Sequence, residues 1–371
     1  YFLFRDLLKD TFHLQETDSF AVLKKKIESG TASLCSGTEQ VIPYLGSLFG
    51  ISYPGMDSLD PEVFKARLQK AIKSILKTVA TRGPAVFCME DLHWGDPSSL
   101  ELLKDILASS HYPALFICTF RTSFSLAAGG NLNTSNRTHH EILLEDLTKA
   151  ESQKMLQSLL KTPSIPKGLE MLIREKIEGN PFYLEEILNS LLESELLIKS
   201  NGNWKLLRPI HKADIPLTIH GVISARTDRL DEGAKQVLQY ASVIGRSFDL
   251  SILSNIIQSE KDLNGHLDNL VRLGLIRANT SLPDGHYDFR HALTQEVVYN
   301  SLLKKERQEI HERIGRIIEK LLPQHLSEKS EILAFHFTQG ISLFKAVEYL
   351  MQSGTKSLNR YAVVESHQYY K

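Results

Sequence analysis

The chain has 371 residues, enough for two or three domains with their own cores. At 42% hydrophobic and 23% charged, with a formal net charge of −1, it carries no strong field toward nucleic acid or an anionic membrane. No apolar run reaches the ~20 residues that a membrane helix needs, which excludes a helical span. Cys35, Cys88 and Cys118 lack metal-ligand spacing. Cys88 and Cys118 fall in apolar strand candidates, so reduced, buried thiols in a cytoplasmic protein are the reading. Three Asn-x-Ser/Thr triplets begin at Asn133, Asn136 and Asn279; without a signal peptide they read as chance matches. The chain begins Tyr1-Phe-Leu-Phe with no initiator Met and reads as a piece of a longer protein.

Residues 1–16 predict a helix with Phe4, Leu7, Leu8 and Phe12 on one stripe. Residues 17–50 continue helical, with breaks near Gly30 and at Pro43. Asp60-Pro61-Glu62 opens another helix, Asp60 as N-cap and Pro61 in the first turn, with Phe64, Leu68, Ile72 and Leu76 on its face. The stretch 84–91 is a short apolar run that ends in Glu90-Asp91 and then breaks, which predicts a buried parallel strand. Two carboxylates at the carboxyl end of such a strand sit where open α/β sheets bind ligands. One can hold Mg²⁺ and the other can activate water; a lone acidic pair also serves as a turn or cap. His93 can orient an acid or a water, or simply bond within a turn.

A crossover helix over 97–108, a second strand at 114–119 and a third at 141–144 complete a predicted α/β layer. Residues 129–140 read as a surface loop. Arg121 directly follows the second strand, where a guanidinium can reach a γ-phosphate or merely occupy a turn. Thr148-x-x-Glu151 is a capping box that opens a small helical domain. Gly179-Asn180-Pro181 separates two of its helices. That triplet is either a plain break or a place where a proline ring packs on an adenine face. Asn201-Gly202 signals a hairpin. Residues 216–300 have the rhythm of a winged helix: helices near 217–229, 231–244, 249–258 and 262–273, then strands at 275–278 and 287–290. His291 follows the last strand, as a half-buried edge histidine or as a donor to a bound diphosphate. A long helix over 306–322 precedes a helical hairpin over 330–371, with Leu333, Phe335 and Phe337 before Gly340 and Phe344, Ala346 and Tyr349 after it.

Together these stretches carry a resemblance. Cys88-Met-Glu-Asp-Leu-His-Trp-Gly-Asp-Pro-Ser-Ser-Leu100 resembles the Walker B region of STAND-class ATPases, a branch of the AAA-type P-loop NTPases. Gly179–Ile187 is similar to their helical-domain signature, and residues 222–230 and 243–248 to their winged-helix entry. Residues 289–299 are similar to the end of the wing. The nearest likeness is to the ATPase module behind class III adenylyl/guanylate cyclase domains, with similar modules in some kinase fusions.

The resemblance implies a partial α/β P-loop NTPase, its parallel sheet lacking the P-loop strand, over 1–147, with Walker B at 84–91. A small helical domain (148–215), a winged-helix domain (216–300) and a linker helix with the start of TPR-like α-helical repeats (301–371) follow. It implies an ATP/ADP-binding regulatory switch with Mg²⁺, controlling a linked effector domain such as a cyclase that makes cAMP or cGMP. Glu90 would face Mg²⁺ and Asp91 the attacking water. Arg121 would sense the γ-phosphate, Pro181 with Gly179 would contact adenine, and His291 would contact the diphosphate.

The chain departs from that family in having no Gly-x-x-x-x-Gly-Lys-Ser/Thr loop; Gly129-Gly130 lacks the required residues. The expectation is that this loop lies upstream of Tyr1, that the fragment alone is inactive, and that a strand of the pair is left with an unpaired edge. A pseudo-ATPase scaffold that binds proteins through its repeats is the alternative. A winged-helix transcription regulator is a third reading. Residues 216–300 hold 8 Lys/Arg against 10 Asp/Glu, which argues against DNA as a partner.

Overall fold

In the computed structural model the described residues are all except 15–17, 19, 35–39, 52, 57–58, 110–112, 127–139, 177–178, 201, 211–215, 217, 258–261, 280–284, 324–325, 328 and 360–361. Cys35, the Gly129-Gly130 pair, Asn133, Asn136 and nearly all of the loop expected at 129–140 lie outside them. The chain divides into two units: residues 1–139 with 318–371, and residues 140–317.

The first unit opens with α1 (Phe2–Phe12), α2 (Phe20–Leu34), α3 (Ile42–Ser47) and α4 (Pro61–Arg82). The local chemistry follows the sequence. Asp60 accepts from the amides of Glu62 and Val63, and Pro61 occupies the first helical position without wasting a donor. Phe64, Leu68, Ile72 and Leu76 of α4 are buried, as the 3.6-residue stripe predicts. Each such side chain contributes about 1.5–3 kcal/mol by leaving water.

Strand β1 (Ala85–Met89) leads through a 3-10 turn (Leu92–Trp94) to α5 (Pro97–Ser109) and then β2 (Ala114–Cys118). The strands pair in parallel, from Ala85↔Ala114 to Met89↔Cys118. Phe87 and Met89 join the core with Leu102, Leu103 and Ile106 of α5. Val86, Cys88, Leu115 and Ile117 point the other way and are exposed. The expectation of buried thiols thus fails for Cys88, which lies on the bare face. The two strands form a two-stranded sheet, so each has one unpaired edge among the described residues, as expected for the pair.

The third strand expected at 141–144 is absent. Glu141–Leu144 is irregular, and Leu144 is 88% exposed. A four-residue apolar run has no strand geometry of its own; it becomes a strand only where a neighbour supplies a ladder.

The second unit begins with α6 (Lys149–Leu160), where Thr148 and Glu151 form the anticipated reciprocal cap. Then come α7 (Lys167–Lys176), α8 (Pro181–Glu193) and an antiparallel hairpin of β3 (Leu197–Ser200) and β4 (Asn203–Leu206). A core of Leu156, Leu160, Leu184, Ile187 and Leu191 holds these helices together. Next are α9 (Ile219–Thr227), α10 (Glu232–Ile244), β5 (Ser247–Asp249), α11 (Leu250–Ile257), α12 (Leu263–Arg272), β6 (Ile276–Ala278) and β7 (His286–Phe289). The four helices and the last two strands match the sequence expectation to within a few residues. Strand β5 was not anticipated. It pairs antiparallel with β7, giving the order β5-β7-β6. Three residues, Ser247-Phe-Asp, are too few to show a period of two. Helices α13 (Ala292–Ser301) and α14 (Lys304–Leu321) follow, and α14 runs across the boundary between the units.

Helices α15 (Ser330–Gln339), α16 (Leu343–Asn359) and α17 (Val363–Tyr370) belong to the first unit. The expected hairpin about Gly340 is present, and the Phe337 and Tyr349 rings stack at 5.6 Å inside it. Phe335 and Phe344, read as part of the same stripe, are exposed instead. No helix among the described residues is long and apolar enough to cross a membrane.

The strand faces differ in a way that thiol chemistry reads directly. Cys88 is exposed, whereas burial pushes the Cys118 thiol up to about 11. In a Cys35→Ser background, a maleimide at pH 7.5 should label Cys88 at least tenfold faster than Cys118, because thiolate is the reactive form. Mass-spectrometric mapping of the first adduct checks this; equal labelling contradicts the assignment of faces.

Candidate functional site

The parallel ladder does not stop where the strands end. The Thr119 amide donates to the Met89 carbonyl at 3.0 Å, and the Leu92 amide to the Thr119 carbonyl at 2.9 Å. The Asp91 amide donates to Thr119 Oγ1 at 3.1 Å. These bonds turn the chain sharply after β1 and put Asp91 in the left-handed region at φ 55°. Asp tolerates that region better than most residues. Glu90 is exposed and Asp91 half-buried at the carboxyl end of the pair. Arg121, also exposed, lies two residues past Thr119 at the same end. Parallel pairing of β1 and β2 therefore puts Glu90, Asp91 and Arg121 at one end of the sheet, with the Thr119 side chain holding the turn at Asp91.

His93 lies in the turn beyond them, its ring 5.4 Å from that of Trp94. Both ring nitrogens are buried and neither has a hydrogen-bond partner among the described residues. The plain reading of a bonded turn histidine therefore lacks its bond. Asp96 closes the loop by accepting from the Ser99 amide at 3.0 Å and the Ser99 hydroxyl at 2.6 Å.

The other candidates lie in the second unit. Gly179 has φ +91°, and a Cβ there would lie 2.3 Å from the Leu147 carbonyl oxygen. Its own carbonyl accepts from the Leu147 amide at 2.8 Å. The glycine thus lets two backbone segments meet. Asn180 caps α8 through the Tyr183 amide at 3.1 Å, and Pro181 stands exposed at the first helical position.

One residue into α8, the Phe182 ring lies 4.1 Å from the His291 ring, centroid to centroid. Burial lowers the His291 pKa; Glu185 pulls it back up, while Arg290, Arg226 and Arg246 push it further down. The imidazole is then neutral at pH 7, with one donor nitrogen and one acceptor. Its Nε2 is buried with no hydrogen-bond partner among the described residues. Arg290 pairs with Glu185 at 2.8 Å.

The strongest polar feature of this unit went unassigned in the sequence. Arg226 of α9 is 2% exposed. Its guanidinium bonds Glu186 and Glu193 of α8 and donates to the Leu273 carbonyl at 2.8 Å, just past α12. Burial pushes the Glu186 carboxyl up, and Arg226 works against that push. An arginine inside the apolar period of residues 222–230 was the available signal, since an unpaired charge is not buried. Of the sequence candidates, then, Glu90, Asp91 and Arg121 share one edge of the first unit. Gly179, Pro181 and His291 cluster about the start of α8 in the second.

No protein-family model matches the chain. The uncharacterized protein R02095 of Rhizobium meliloti (strain 1021) is 26% identical over 324 residues, covering 84% of this chain and 30% of that protein. The peroxide stress-activated histidine kinase mak3 of Schizosaccharomyces pombe is 20% identical over 302 residues, covering 77% of this chain and 12% of the kinase. The chain thus spans less than a third of either curated relative. Among solved structures, a Signal Transduction ATPase with Numerous Domains (STAND) protein with a tetratricopeptide repeat sensor, from Pyrococcus horikoshii, superposes with a TM-score of 0.52. That match has 13% identity and covers 96% of this chain and 50% of the other. The chain has a STAND-like fold. At this identity the likeness concerns the fold.

Two outcomes follow from the buried groups of the STAND-like second unit. Arg226→Ala strands Glu186 without a partner and should cost about 3–5 kcal/mol of stability, measured by urea unfolding, whereas Arg226→Lys recovers part of that. His311, bonded to the Tyr299 hydroxyl at 3.1 Å, has its pKa lowered by burial from 6.5 to about 4. The unfolded chain then binds the extra proton first, so this stability is complete above pH 6.5 and is lost as pH falls toward 4. The loss amounts to at most about 3 kcal/mol. His311→Gln should flatten the stability profile over that interval; an unchanged slope refutes the assignment.

Proposed function

We propose that this chain is most of an ATP/ADP-binding regulatory switch of the STAND type, controlling a signalling domain linked to it. The observation that supports the reading best is the delivery of Glu90, Asp91 and Arg121 to one carboxyl-terminal strand edge, the place where α/β sheets bind nucleotides. In this reading Glu90 faces Mg²⁺, Asp91 takes the proton of an attacking water, and Arg121 pairs with the γ-phosphate. Pro181 meets the adenine, with Gly179 shaping the turn before it, and His291 donates to a diphosphate oxygen.

The residues present fit part of such a ligand. An unpartnered, buried Nε2 on a neutral His291 suits a phosphate oxygen. Among the described residues no cluster of three or more His, Cys, Asp or Glu is placed to hold a metal ion. Mg²⁺ at Glu90 would therefore take phosphate oxygens and water as its other ligands, as it commonly does. The backbone cradle and lysine for the phosphates are not in this sequence. The division proposed is an NTPase part to about residue 147, a helical domain to 215, a winged helix to 300, then TPR-like repeats.

The linked domain is proposed to be a class III nucleotide cyclase, in a cytoplasmic protein. The histidine kinase relative favours a second reading, in which the same module regulates a kinase. A scaffold that uses the exposed apolar residues of α15 and α16 for protein contacts, without nucleotide, is the competing view.

Titration of the parent protein with ATP and ADP, with and without Mg²⁺, decides between them. Binding should be detected, and Glu90→Gln should abolish its Mg²⁺ dependence. Asp91→Asn should spare binding and lower turnover by about 10²–10⁴-fold. Absence of binding by a parent that contains the upstream segment rules the switch out.

A further inference from the structure

Helix α17 is docked with its polarity reversed. Its buried stripe is Ala362, Glu365 and Ser366, with Glu365 only 5% exposed. Its apolar residues face outward: Val363 is 61% and Val364 54% exposed. A helix held by the hydrophobic effect shows the opposite pattern. At α5 the tie is polar, while on α16 the Tyr370 ring packs against Gly354. Glu365 Oε1 accepts from the Ser98 amide at 3.1 Å, a buried bond at the first turn of α5.

The donors of that turn leave no slack. Pro97 has no N–H, the Ser99 amide goes to Asp96 Oδ2, and the Leu100 amide returns to the Asp96 carbonyl. Ser98 is left for Glu365. The carboxylate suits the positive end of a helix dipole. Its second oxygen, Oε2, is nonetheless buried without a hydrogen-bond partner among the described residues, so the contact carries a desolvation cost. Helix α17 is tied to α16 through Ser366 Oγ, which donates to the Gly354 carbonyl at 2.9 Å, and through the contact between the Thr355 and Tyr370 hydroxyls at 2.9 Å.

We propose that Glu365 is a releasable clasp, an intramolecular switch through which the α16–α17 helices hold the start of α5 and, with it, the Glu90–Asp96 loop. Closed, the carboxylate completes the hydrogen bonds of the first turn of α5 and so steadies the far end of that loop at Asp96. Open, α17 leaves the start of α5 and the Ser98 amide turns to water.

Amide hydrogen exchange on the full chain tests it. In the wild type, peptides covering 92–100 and 362–370 should exchange together, about tenfold or more faster than the α4 core peptide. Glu365→Gln keeps an acceptor and removes the buried charge, so protection of both peptides should hold or rise. Glu365→Lys should raise exchange in both by about tenfold or more, leaving α4 and residues 219–301 unchanged. The proposal is overturned if Glu365→Lys matches the wild type. It is also overturned if both peptides exchange only with α4, or if Glu365→Gln opens them as far as Glu365→Lys does.

Discussion

The first unit depends on a parallel strand pair only five residues long. Its ladder continues past the strand ends through Thr119, which bonds Met89 and Leu92 on the β1 side, and that continuation fixes the chain at Glu90-Asp91. A β-branched hydroxyl at that position does two jobs: its backbone extends the ladder, and its Oγ1 takes the amide that the left-handed turn at Asp91 leaves over. Without that acceptor the turn at Asp91 would lose its side-chain tie to β2. Everything proposed about Mg²⁺ and water at this edge rests on that small set of backbone bonds.

In the second unit a single guanidinium has the corresponding part. Arg226 reaches α8 through two carboxylates and the chain after α12 through a carbonyl, so three segments share one buried cation. Replacing such a set with well-packed apolar side chains is often neutral or stabilising, so stability alone does not explain it. Geometry offers a better account. Five donors in a rigid fork define orientation in a way that Leu or Met contacts do not. The start of α8, where Gly179 and Pro181 lie, is held against the His291 corner by the same helix, through Phe182 and the Glu185–Arg290 pair.

The two faces of β1 and β2 and the two faces of α17 show the same tension. Each places apolar side chains in water where the pattern of residues favours burial. For the strands, the exposed residues alternate strictly with buried or half-buried ones, so the pleat itself presents them. For α17 the reversed stripe follows from a polar dock at the α5 terminus. Unburied apolar surface in an otherwise ordinary composition marks the places where this fold has something further to cover.

Sequence alone determined much of the local structure. The stripe of α4, the cap at Asp60, the reciprocal cap at Thr148 and the hairpin around Gly340 were all legible, because each depends on residues within a turn or two of one another. The apolar run at 84–91 likewise announced both a parallel strand and the acids beyond it. The tertiary structure decided the rest. Glu141–Leu144 has the letters of a strand and no ladder to join; Ser247-Phe-Asp has too few letters and is a strand because β7 pairs with it. Arg226 and Glu365 look like surface charges until partners 33 to 267 residues away bury them. Periodicity records what a residue's near neighbours require, whereas pairing, burial and charge compensation belong to groups that only folding brings together.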